Sequence, residues 1–247
     1  MNLVLVGRVN LSNYKLNSYN NFDLRLKDTR DSFFELLNYK IFKKIILADS
    51  SNVEIFNVNE IIQLEEKYEI KIEQQIYHLD DVYDKNGGIK SSSELVNLAR
   101  VLNNTSLLTN DDSFYKITPR YNIKNLIEII KISSRFSNFY FDFHFIPFTW
   151  WKRIVVTSLF KEKVSFIKNL DIEKCLNFLD ENNGVYIEHL FYELRIKYKR
   201  NYLSCPFPVI NTIAGTTGKK SKMNYFKIRN IASIIGVMAF TNYTKSI

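Results

Sequence analysis

The run Lys43-Lys44-Ile45-Ile46-Leu47-Ala48-Asp49-Ser50-Ser51-Asn52 reads as a buried strand that ends in a polar tip. A short unbroken apolar stretch between charged and polar residues has the length and composition of a strand inside a sheet. Residues 2–6, Asn2-Leu3-Val4-Leu5-Val6, repeat the pattern upstream. Residues 70–76 give a third strand that leads into His78-Leu79-Asp80-Asp81. Helical patterns lie between them. Residues 32–39 read as a helix capped by the Asp- and Thr-rich lead-in Asp28-Thr29-Arg30-Asp31. Ser93 caps another, in which Leu95, Leu98, Ala99 and Leu102 share a face.

Further along, residues 113–118 are short and extended, and Ile123, Leu126, Ile127 and Ile130 make a helical stripe. Residues 138–148 form a strand in which Phe139, Phe141, Phe143 and Phe145 alternate with Tyr140, Asp142 and His144. Helices return at 172–179 and at 185–198, the latter with Ile187, Leu190, Phe191 and Leu194 on one side. A β-like run at 209–213 follows the break at Pro206 and Pro208. Alternating strands and helices, then mixed elements, predict an α/β domain: a mostly parallel sheet flanked by helices, with a mixed C-terminal part. One domain accounts for residues 1–247, with no internal repeat or Pro/Gly-rich hinge to divide it.

At 46% hydrophobic and 15% aromatic the chain can bury a sizeable core, which excludes disorder as its main state. Met1–Arg8 has no basic leader, its apolar run is too short for a signal peptide, and no window reaches the eighteen apolar residues of a membrane span. The isolated Cys175 and Cys205 read as buried thiols of a cytoplasmic protein. The net charge of +8 suits anionic partners, and the cations gather late, at Arg195, Lys197, Lys199 and Arg200 and at Lys219, Lys220, Lys222 and Lys227. Such a cluster also fits a solvated face.

In parallel sheets ligands sit beyond the carboxyl ends of the strands, so the polar tips are the candidate site. Arg30, Asp49, Ser51 and Asn52 offer guanidinium, carboxylate, hydroxyl and amide groups to a base or ribose. Asn86-Gly87-Gly88-Ile89-Lys90-Ser91-Ser92-Ser93 is a Gly-rich turn into a helix start, where free N–H groups and Lys90 attract anions. In Tyr115-Lys116-Ile117-Thr118-Pro119-Arg120-Tyr121, Lys116 and Arg120 put two cations beside a helix-breaking proline, suited to phosphate oxygens. Glu188-His189 lies on an amphipathic helix, and Glu188 is placed to act as a base toward a hydroxyl. Gly215-Thr216-Thr217-Gly218-Lys219 resembles a phosphate-cradling nest but is not a Walker loop. Histidine and cysteine spacings give no metal site; the acidic pairs Asp80-Asp81 and Asp111-Asp112 could serve as D-x-D-like metal ligands, although Asp111-Asp112 also reads as turn acids.

The order of these segments resembles bacterial glycosyltransferases of GT-A type that build capsule, O-antigen and lipooligosaccharide. The basic and hydroxyl segment, the strand ending Asp-Ser-Ser-Asn, the Gly/Lys turn and Phe114-Tyr115-Lys116-Ile117-Thr118-Pro119-Arg120-Tyr121 carry the likeness over residues 1–225. Ile187-Glu188-His189-Leu190-Phe191-Tyr192 and Gly215-Thr216-Thr217-Gly218 complete it. The resemblance implies a GT-A-like, Rossmann-related fold, with a donor half at about 1–125 and an acceptor half at about 126–247. It implies a nucleotide-sugar donor bound by Arg30, Asp49, Ser51, Asn52, Lys90, Lys116, Arg120, Thr216, Thr217, Gly218 and Lys219. It places Glu188, His189 and Arg120 in catalysis, with a glycan or lipid-linked acceptor at the inner face of the cytoplasmic membrane.

GT-A enzymes carry an Asp-x-Asp metal motif where this chain has Lys116 and Arg120. The expected electrostatics are therefore those of protein cations without a cofactor, Mn²⁺ or Mg²⁺ staying open as the alternative. No nucleic-acid partner is expected. The other reading of the basic composition is a non-catalytic nucleic-acid- or phospholipid-binding protein.

Overall fold

A computed structural model describes residues 1–9, 21–77, 90–142, 155–180, 183–203 and 208–211. Strand β1 (Asn2–Gly7) sits between β2 (Lys44–Asp49) and β4 (Ser113–Ile117), and β3 (Lys71–Ile76) lies outside β2. These four are parallel. Beyond β4 come β7 (Val155–Lys163), antiparallel to it, then β6 (Phe139–Asp142) and the two-residue β8 (Tyr202–Leu203). The order β3-β2-β1-β4-β7-β6-β8 makes one mostly parallel, seven-stranded sheet. A small antiparallel pair, β5 (Asn122–Ile123) with β9 (Ile210–Asn211), stands apart.

Side chains alternate across the sheet, and both faces are covered, so the strands read as continuous apolar runs. One face gathers Leu3, Leu5, Ile45, Leu47, Tyr115 and Ile117 against helices α1 (Phe22–Asn38), α2 (Val58–Tyr68) and α4 (Leu126–Ser133). The other gathers Val4, Val6, Ile46, Phe114 and Phe160 against α3 (Lys90–Asn104), α5 (Val164–Lys168), α6 (Ile172–Phe178) and α7 (Ile187–Lys197). Cys175 is a buried free thiol in α6. This three-layer α/β arrangement is the expected fold class.

Several elements differ from the sequence reading. Helix α1 starts at Phe22, where the Asn21 side chain accepts from the Leu24 N–H at 3.0 Å. Asp28, Thr29 and Asp31 are therefore helix interior, and the Thr29 hydroxyl donates back to the Arg25 carbonyl. Helix α3 begins at Lys90, so Ser93 lies inside it and is no cap. Ile123 belongs to β5 and not to the helical stripe after it. Helix α2, closed by an Asn57–Glu60 capping box, and strand β7 have no counterpart in the reading. Strand β6 ends at Asp142, and residues 143–148 lie outside the described residues, as do Trp150, Trp151 and Cys205.

Gly7, the last residue of β1, lies against the turn that follows β4. A Cβ there would sit 2.8 Å from Cγ of Pro119 and 3.1 Å from its Cδ, against a rigid ring. Gly7→Ala should therefore lower stability by about 1–3 kcal/mol, as overpacking does. Urea unfolding of the two proteins side by side measures the loss, and equal midpoints would show that the turn yields.

Candidate active site

Strand order reverses between β1 and β4, the position at which sheets of this kind form a ligand crevice beyond the carboxyl ends of their strands. Side chains buried at this edge are unusually polar. Asp49, Ser50 and Ser51 lie at the end of β2, Ser91, Ser92, Ser93 and Asn97 in the first turns of α3, Lys116 near the end of β4 and Thr157 near the start of β7.

Asp49 is only 1% exposed. Its Oδ2 accepts from the Val9 N–H at 2.7 Å, and its Oδ1 accepts from the Ser51 N–H at 2.7 Å, the Ser51 hydroxyl at 2.6 Å and the Val53 N–H at 3.2 Å. Burial pushes its pKa up, and these four bonds oppose that. Arg25 of α1, also buried, donates to the carbonyls of Val9 (2.8 Å) and Arg8. The backbone leaving β1 is thus gripped through its N–H by Asp49 and through its carbonyls by Arg25. Asn52 follows with φ of 60°, a left-handed conformation that Asn tolerates, and it is exposed beside the edge.

Across the reversal, Lys116 is 1% exposed. Its ammonium is paired with Glu94 of α3 and donates to the Thr157 carbonyl at 2.8 Å and the Thr118 hydroxyl at 3.3 Å. Arg120 is half-buried in the turn closed by the Tyr121 N–H on the Thr118 carbonyl, at 2.9 Å. Asn97 donates to the Gly7 carbonyl at 3.4 Å, joining α3 to the end of β1. On the β7 side, the Thr157 hydroxyl donates to Oε1 of Glu188 at 3.4 Å, in the first turn of α7.

His189, next to Glu188, serves its own helix: its Nδ1 accepts from the Tyr186 N–H at 3.1 Å. Partial burial lowers its pKa. A histidine whose folded pKa is depressed contributes stability that is present above its unfolded value of 6.5 and is lost as pH falls through the folded value. Protonation also turns Nδ1 from an acceptor into a donor. His189→Gln keeps an acceptor at every pH, so wild type should lose Tm relative to this variant as pH drops below about 6.5. Parallel melting curves across that range would refute this role for His189.

Asp49, Ser51, Asn52, Lys116, Arg120 and Glu188 thus surround one edge. Arg30 does not join them. Expected at a strand tip, it lies inside α1, paired with Glu60 and stacked over Phe56 at 4.8 Å, so it fastens α1 to α2. Asp112 sits before β4 at the opposite edge, holding the Thr109 N–H at 2.9 Å, as a turn acid should. The side chain of Lys90, and Asp80, Asp81, Gly87, Gly88, Thr216, Thr217, Gly218 and Lys219, lie outside the described residues. Arg25, Glu94, Asn97 and Thr157 join this candidate edge and were not among the residues expected there. Their partners are distant in the chain, so no local pattern marks them.

Among the described residues, no group of three or more His, Cys, Asp or Glu is placed to hold a metal ion, and no helix is long and apolar enough to cross a membrane. No protein-family model matches the chain, and no curated protein matches it. Among solved structures it is similar to the 2-C-methyl-D-erythritol 4-phosphate cytidylyltransferase of Francisella tularensis, with a TM-score of 0.42 and 13% identity over 94% of this chain and 99% of that one.

Proposed function

We propose that this chain is a nucleotide-sugar-dependent glycosyltransferase whose donor lies across the crevice between β1 and β4. The observation that supports this most is the set of polar side chains buried at the one sheet edge where strand order reverses. The β2 exit, with Ser51 and Asn52, meets the nucleoside, and the turn carrying Arg120 meets the diphosphate. Thr216, Thr217, Gly218 and Lys219 add a second phosphate contact in this proposal. Glu188 takes the proton of the acceptor hydroxyl as its oxygen bonds to the anomeric carbon. The sugar–phosphate bond breaks, and the charge of the departing nucleoside diphosphate is met by Arg120. The acceptor is a glycan or lipid-linked sugar of the bacterial surface, reached from the inner face of the membrane. No step of this proposal is routed through a divalent metal, protein cations taking its electrostatic part.

A thermal-shift panel of nucleotides followed by turnover assays tests this. One nucleoside diphosphate at about 100 times its Kd should raise Tm by about 5–10 °C. Transfer from the matching nucleotide sugar should persist in EDTA. Turnover that vanishes on chelation and returns with Mn²⁺ would overturn the metal-free reading. Pyrophosphate release from a nucleoside triphosphate would replace glycosyl transfer with nucleotidyl transfer. Salt-sensitive binding of any polyanion, with no nucleotide preference, would make the chain a non-catalytic basic binder.

A further inference from the structure

Lys116 stands among the cations that a diphosphate would be expected to meet, yet its surroundings assign it other work. A lysine ammonium has three hydrogens to donate. Three protein acceptors surround this one: the Glu94 carboxylate, the Thr118 hydroxyl at 3.3 Å and the Thr157 carbonyl at 2.8 Å. The side chain is 1% exposed, and Glu94 offsets its charge. A phosphate oxygen would have to displace one of these partners inside a closed floor.

The three acceptors come from three different parts of the crevice. Glu94 is in the first turns of α3. Thr118 opens the turn that carries Arg120. Thr157 presents its hydroxyl to Glu188 while its carbonyl holds the lysine. Because the ammonium touches all three, it fixes how far the Arg120 turn stands from Glu188.

We infer that Lys116 is a positioning residue, held by Glu94, that sets the spacing between the diphosphate side of the crevice and the carboxylate on its acceptor side. Thr157 is the link through which it acts on Glu188. The kinetic consequence rests on the glycosyltransferase reading, but the structural claim does not. Misplacing reacting groups by about an ångström costs on the order of 10²-fold in rate without a matching loss of binding. A phosphate ligand, in contrast, loses affinity when it is removed.

Two measurements test the inference. The first needs no substrate: ¹⁵N-detected spectra of the lysine ammonium groups at neutral pH and low temperature. A slowly exchanging ammonium signal should be present in the wild type, absent in Lys116→Met and broadened in Glu94→Gln. Its absence from the wild type would overturn the inference even if transfer is observed.

The second measurement compares kcat and nucleotide affinity in Lys116→Met and in Lys116→Met/Glu94→Gln, the double variant leaving no uncompensated carboxylate. Both should keep nucleoside diphosphate affinity within about 3-fold while kcat falls about 10²-fold. The double variant should regain Tm but not kcat, which a purely structural role would restore. A drop of tenfold or more in nucleotide affinity, with a well-folded double variant, would return Lys116 to the phosphate and sink the inference. If no nucleoside diphosphate binds the wild type, the glycosyltransferase reading fails, and the ammonium spectra still decide the role of Lys116.

Discussion

Replacing Glu188 by glutamine is expected to cut kcat by about 10²–10⁴-fold, the usual weight of a general base, while nucleotide affinity is retained. The geometry supports the expectation in two ways. Glu188 lies in the first turn of α7, whose Ile187, Leu190 and Phe191 are buried, so the helix start is fixed against the sheet. The Thr157 hydroxyl, 3.4 Å from Oε1, restricts the carboxylate further. Glutamine keeps the shape and an acceptor for Thr157 but cannot take a proton from the acceptor hydroxyl. Steady-state kinetics with the cognate nucleotide sugar, paired with a nucleotide thermal shift, make the check. Loss of donor binding along with turnover would move Glu188 to the nucleotide or the scaffold, and unchanged turnover would remove it from the reaction.

Arg200→Met should destabilise the fold by about 3–5 kcal/mol. Glu162 of β7 is 0% exposed, and its carboxylate meets the Arg200 guanidinium at 3.3 Å, the Tyr140 hydroxyl at 2.8 Å and the Lys163 N–H at 2.8 Å. Arg200 also stacks over Phe166 at 4.0 Å, which a methionine retains in part. Without the guanidinium a buried carboxylate loses its countercharge. Burial already raises the Glu162 pKa, and Arg200 is one of the groups holding it down. A carboxyl whose folded pKa is raised contributes stability that is fully present below its unfolded value of 4.5 and is lost as pH rises through the folded value. The variant should therefore melt nearest to wild type in acid and fall furthest behind at neutral pH, by roughly 6–20 °C. Adding Glu162→Gln should recover most of the loss, and a double variant as unstable as the single would show that the charge pairing is not the cause.

The central strands are legible in the sequence because β1 and β2 are apolar runs whose two faces are both buried, so periodicity and burial agree. Helix α2 is not. Leu64 is its buried residue, Val58 and Ile62 are exposed, and the helix is held by its capping box and its neighbours. Strand β7 is hidden by Lys161-Glu162-Lys163, charges that suggest solvent until Arg200, just beyond the end of α7, is brought to Glu162. In the sequence α1 is interrupted by residues that resemble a cap, although the true cap is Asn21. The site behaves likewise. Asp49 and Lys116 stand out as polar residues at strand ends, but their work is set by partners distant in the chain. Val9 lies 40 positions from Asp49, while Glu94 and Thr157 lie 22 and 41 from Lys116. No local pattern encodes such pairings.

Strand β1 has one further consequence, in the timing of synthesis. Its first hydrogen-bonded neighbour, β2, follows closely, but its second, β4, begins with Asn2 opposite Phe114, more than a hundred residues later. At about 5–20 residues per second a ribosome needs roughly 5–20 s to deliver that partner. Until then β1 presents an unpaired edge of apolar residues, the kind of edge that recruits strands from other chains. A fragment ending between β3 and β4 would keep that edge open for good, so the first half of the chain, expressed without the rest, should collect in inclusion bodies.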